Sequence, residues 1–78
     1  MAPYIDTVAT GKNINRLRIK AGMSIRDLQD IFGFSTPQAI YFWIHGRSLP
    51  KIDNLVVLSY VLNVPLEDII VTKNSTHR

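Results

Sequence analysis

Apolar residues along this chain recur with a period near 3.6, and each recurrence ends at a glycine or a turn residue. Over residues 11–21, "GKNINRLRIKA", Ile14, Leu17 and Ala21 share one face, predicting an amphipathic helix that Gly22 stops. Ser24 is placed to cap a second helix, with Asp27 where a capping box carries its acid. In "IRDLQDIF", Ile25, Leu28, Ile31 and Phe32 fall on one side, and Gly33 ends the segment. After "GFST", Thr36 is the expected N-cap of a third helix, with Pro37 at its first position. That helix runs to about His45; Gly46 stops it and "GRSLP" forms a loop. A fourth helix is expected over about Ile52 to Leu62, turning Leu55, Leu58, Val61 and Leu62 inward, and Asn63-Val64-Pro65 breaks it. A short fifth, "LEDII", turns Leu66, Ile69 and Ile70 inward. No strand alternation and no repeat is evident. The prediction is an all-α, compact bundle of five short helices. Residues 1–10 read as an N-terminal arm, helical at the earliest from Asp6 or Thr7. Residues 11–71 form the domain, and residues 72–78 are a polar, flexible tail.

One stretch does not fit a simple core pattern. Ile40, Tyr41, Phe42, Trp43 and Ile44 are five large apolar residues in a row, and only one side of a helix can face a core. With the third helix starting near Pro37, Ile40, Trp43 and Ile44 point inward, while Gln38, Tyr41, Phe42 and His45 point away.

Composition narrows what that outer face can do. Seventy-eight residues make one small domain. There is no cysteine, so no disulfide, thiol nucleophile or cysteine zinc site, and His45 and His77 alone cannot hold a metal. No nucleophile–base pair or phosphate loop stands out; Asp27 and Asp30 read as surface or capping residues. An enzyme is not expected, nor any cofactor. No apolar run reaches the roughly 20 residues of a membrane span. "MAPYIDTVAT" lacks the layout of a secretion signal, so a cytoplasmic protein is expected. Nine Lys and Arg against six Asp and Glu leave +3. Lys12, Arg16, Arg18, Lys20 and Arg26 lie in a stretch without an acid, whereas Glu67 and Asp68 sit near the other end. Such a field is suited to a phosphate backbone.

Two short helices around a glycine turn describe a helix-turn-helix only minimally. The wider series "INRLRIKAGMSIRDLQDIFGFSTPQAIYFWIHGRSLPKIDNLVVLSYVLNVPLEDII" resembles the Cro/C1-type (XRE-like) helix-turn-helix domain of bacterial and phage transcriptional regulators. The resemblance lies in the basic first helix ending at Gly22, Ser24 and Leu28 of helix two, and Gly33 at the turn. It continues through Ile40 and Trp43 in helix three, Gly46 and Pro50 after it, and the closing "DNLVVLSYVLNVPLEDII". It departs in three places. Ile25 stands where many members carry Gln, Ile44 replaces the Glu that would pair with Arg18, and the turn "GFSTPQ" is one residue longer.

The resemblance implies a lambda-repressor-like fold in which helices two and three form the motif and helix three enters the major groove. Double-stranded DNA is the implied partner, and the implied activity is operator occupancy by a small transcriptional regulator, such as a repressor. Thr36, Gln38, Tyr41 and Phe42 are the candidates for base contact. Gln pairs two-fold with adenine, Phe42 can pack on a thymine methyl, and the Tyr41 hydroxyl can also reach a phosphate. Arg18, Arg26, His45, Arg47 and Lys51 are the candidates for phosphate contact. His45 equally suits the C-terminal end of a helix dipole, and Arg18 a stem lying over the core. Members of the family often act as homodimers on palindromic sites, with Val64, Ile70 and Val71 as candidates for that contact. The alternative is a protein-interaction module with the same fold, such as the antitoxin partner of a toxin, docking through Tyr41 and Phe42.

Overall fold

The computed structural model describes residues 2–74. Five helices follow one another: α1 (Thr7–Lys20), α2 (Ile25–Phe32), α3 (Gln38–Ile44), α4 (Ile52–Leu62) and α5 (Leu66–Ile69). Two three-residue strands, β1 (Pro3–Ile5) and β2 (Thr72–Asn74), pair antiparallel with Tyr4 opposite Lys73.

This pairing changes the reading of both ends. Residues 3–5 of the expected arm are a strand, and α1 starts at Thr7 because the Asp6 carboxylate accepts from the Ala9 N–H at 3.0 Å, capping the helix. Residues 72–74 of the expected tail are the partner strand; residues 75–78, with His77, lie outside the described residues. The clip extends inward. The Asp6 N–H donates to the Val71 carbonyl at 2.8 Å, and Lys73 Nζ lies 3.2 Å from Asp6 Oδ2. Fully buried Thr10 accepts from the Val71 N–H and donates to its carbonyl, while the Asn13 amide donates to the Asp68 and Ile69 carbonyls at the end of α5.

Ile14, Leu17, Leu28, Ile40, Trp43, Leu55, Leu58, Leu62 and Ile69 form the core. Phe32 stacks on Phe34 at 5.1 Å, and both meet the Trp43 ring edge-on. Three residues expected inside are outside: Ile31 is 45% exposed, and Leu66 and Ala21 are also exposed. At Ile31 the reason is the aromatic group. Phe32, its neighbour on α2, fills the space beside Trp43, and Ile31 is turned about 100° away from it.

α1 crosses the end of α3 at backbone distance. A methyl group added at Gly11 would overlap the Trp43 carbonyl and lie 2.8 Å from that of Ile44, so only glycine admits this approach.

Four helices close in the same way. Past the ends of α1, α2, α3 and α4, residues 22, 33, 46 and 63 take positive φ. In each case the next residue donates its N–H to the carbonyl five positions back: Met23 to Arg18, Phe34 to Gln29, Arg47 to Phe42, Val64 to Ser59. This is the Schellman closure, which satisfies carbonyls the helix leaves unpaired. At three of the four, the side chain five positions back returns the bond. Arg18 donates to the Met23 carbonyl at 3.0 Å, Gln29 to that of Phe34 at 3.2 Å, and Ser59 to that of Val64. At α3 the returning residue is Phe42, which cannot donate.

Candidate nucleic-acid interface

The outer face of α3 is what remains after Ile40 and Trp43 are buried. Thr36, Pro37, Gln38, Tyr41, Phe42, His45 and Arg47 line one shallow depression of about 280 Å³. All four residues expected at bases are therefore together, with two of the five expected at phosphates. α3 itself begins one residue later than expected. Pro37 is the N-cap residue and provides no side-chain cap; Thr36 sits in the turn, its hydroxyl 3.5 Å from the Gln38 N–H.

Two stacks organise the depression. The Tyr41 and His45 rings lie 5.9 Å apart and nearly parallel, as the i, i+4 spacing allows. The Arg47 guanidinium sits 5.3 Å above the centre of the Phe42 ring. The closure of α3 creates this second contact. Gly46, at φ +71°, turns the chain back so that Arg47 bonds to the Phe42 carbonyl at 2.8 Å and its side chain returns over that ring. The pairing is legible in the spacing of Phe42, Gly46 and Arg47, but only through the closure geometry.

The remaining candidates lie elsewhere. Lys51 is exposed just before α4. Arg26 is exposed on α2 and pairs with Asp30 at 3.5 Å. Arg18 is half-buried: one guanidinium nitrogen serves the Met23 carbonyl, and Nε is buried without a hydrogen-bond partner among the described residues. Its side chain thus joins α1 to the following loop. Among the residues that line the depression there is no Asp or Glu.

Asp27 does cap α2, its carboxylate accepting from the Ser24 N–H at 2.8 Å, which holds its pKa below the ordinary value. Among the described residues no cluster of three or more His, Cys, Asp or Glu could hold a metal ion, and no helix is long and apolar enough to cross a membrane.

A family model described as helix-turn-helix matches residues 14–69. Among solved structures, the crystal structure of the restriction-modification controller protein C.AhdI from Aeromonas hydrophila aligns with a TM-score of 0.72. The match covers 82% of this chain and 96% of that one at 20% identity, a likeness of fold. No curated protein sequence matches the chain.

Proposed function

The chain belongs to the helix-turn-helix family of DNA-binding regulators, and on that premise we propose that it binds a specific double-stranded operator and regulates transcription by occupying it. The observation that carries this is the gathering of Thr36, Gln38, Tyr41, Phe42, His45 and Arg47 in one outward depression on α3. A helix of this width fits the major groove, where base edges present donors, acceptors and the thymine methyl. Gln38 reads a base, and Arg47 holds a phosphate beside the groove. Arg26, His45 and Lys51 add phosphate contacts. Arg18 is left out of this set because its guanidinium is engaged at Met23.

The test is a pair of titrations, for Gln38→Ala and Arg47→Ala, on a selected operator and on random duplex at several salt concentrations. Removing a base contact costs about 1–3 kcal/mol on the operator and little on random DNA. Removing a phosphate contact weakens both and lowers the salt slope by about one. Operator binding by Gln38→Ala as tight as wild type removes Gln38 from the reading set, and an unchanged salt slope removes Arg47 from the phosphate set.

A line of exposed apolar residues on α4, Ile52, Val56 and Tyr60, favours a second reading in which the domain docks a protein. Of the residues expected to join two copies, Val64 and Ile70 pack against this chain's own core. If the purified protein shifts no duplex at physiological salt without a second protein, the docking reading replaces the first.

A further inference from the structure

We infer that Phe42 reads the C5-methyl group of a pyrimidine in the major groove, with the Arg47 guanidinium holding its ring in place. The inference rests on the duplex-binding reading and specifies what that site recognises.

The first support is the departure at the end of α3. Arg18, Gln29 and Ser59 each use the returning position of a closure to bond a carbonyl. Phe42 occupies the same position, yet the closure forms without it, through the Arg47 N–H and the Phe42 carbonyl at 2.8 Å. The ring is therefore not needed to end the helix. It lies on the depression, one helical turn beyond Gln38.

The second support is the stack. Arg47 covers one face of the ring at 5.3 Å and so restricts its rotation, while the rest of the ring stays half-exposed. Phe42 offers no donor or acceptor. A base-edge amine or carbonyl pressed against it would lose its water and gain no partner. The one apolar group on a major-groove edge is a methyl on pyrimidine C5. Thymine supplies it, and so does 5-methylcytosine. An apolar ring flanked by a fixed cation thus matches a methyl-bearing edge beside a phosphate.

The experiment replaces, one at a time, each thymine of a selected duplex by uracil and each cytosine by 5-methylcytosine. Uracil keeps every hydrogen-bonding group of thymine and lacks only the methyl. The expected result for wild type is a loss of about four-fold at one thymine per recognition-helix footprint, the weight of one buried methyl group. If the methyl instead comes from methylated cytosine, a gain of similar size appears at one cytosine and no thymine responds. Phe42→Gln, which places at α3 the residue type that locks α2, binds with no response at that position. A flat wild-type profile in both series on a duplex that still binds overturns the methyl reading and leaves the DNA-binding function standing. A methyl response retained in folded Phe42→Gln also overturns it. Failure of wild type to bind any duplex overturns both. A flat wild-type series overturns the reading even where the variant does not fold.

Discussion

The C-terminal ends of α2 and α3 share a closure and differ in what completes it. At α2, Gln29 reaches back to the Phe34 carbonyl; at α3, the equivalent side chain is an aromatic ring with a guanidinium on its face. The surroundings differ too. A methyl group added at Gly33 would meet nothing within 4 Å, whereas at Gly46 it would meet the Val8 backbone at 2.7 Å. One end is held by a local polar bond and faces open space. The other is clamped against α1, and its side chains are released to face outward. Departure from a rule the same chain follows three times falls where the proposed chemistry is.

The comparison breaks most visibly at the two glycines. Gly33→Ala adds only the cost of a left-handed backbone, about 1–2 kcal/mol. Gly46→Ala adds the same cost plus the overlap with Val8, a further 1–3 kcal/mol or about that, because backbone must move. Thermal melts should place Gly46→Ala well below Gly33→Ala, by roughly 4–8 °C per kcal/mol for a domain of this size. Equal melting temperatures would mean that α1 does not clamp the end of α3.

A smaller effect separates the locks from the ring. Ser59→Ala leaves the Val64 carbonyl without its side-chain donor and should cost about 1 kcal/mol. Phe42→Gln loses a cation–π contact of about 0.5–1 kcal/mol and gains a lock of about the same weight. Its melt should therefore stay near that of wild type. A drop as large as that of Ser59→Ala would make the ring part of the closure rather than of the site.

The smallest effect concerns the helix starts. α2 opens with a reciprocal cap between Ser24 and Asp27, while α3 opens with none. The Ser24 N–H holds the Asp27 carboxyl below its ordinary value of 3.8. A depressed carboxyl contributes stability that is present above the unfolded value and is lost as pH falls through the folded one. Asp27→Asn should melt slightly below wild type near neutrality, and the two should converge below about pH 4. A gap that persists in acid would point to packing, not charge.

How far the sequence revealed this depends on the range of each signal. The five helices, their stops and the phase of Trp43 rest on residues within a turn of each other, and all are present. Ile31 lies outside, against its pattern, because a helix of eight residues offers adjacent Ile31 and Phe32 almost equal claims to one apolar face. Only Trp43, from another helix, decides between them. The strand clip was invisible because three residues give no alternation to detect, and their partners lie some 70 positions away. Six of the nine expected contact residues line the depression: helix phase fixes Gln38, Tyr41 and Phe42 together, and the turn before α3 and the closure after it bring Thr36, His45 and Arg47 alongside. Arg18 is apart because its partner is a loop carbonyl, for which no side-chain pattern exists.

α3 is a short rod that buried Ile40 and Trp43 fix to the core along its length, with its backbone braced as well at one end. At its foot are Gly11 against the Trp43 and Ile44 carbonyls, Gly46 against Val8, and the returning bond of Arg47. At its tip is exposed Gln38, whose N–H has only the Thr36 hydroxyl, 3.5 Å away, and no cap from Pro37. Seven residues make the rod about 10 Å long. A tilt of about 5° about the foot carries the tip through about 1 Å and leaves Arg47 almost still, a matter of leverage on that length. Under the proposed duplex-binding reading, a tilt of that size would let Gln38 follow the width of a groove, with Arg47 and the ring beneath it as the point from which the shift is measured.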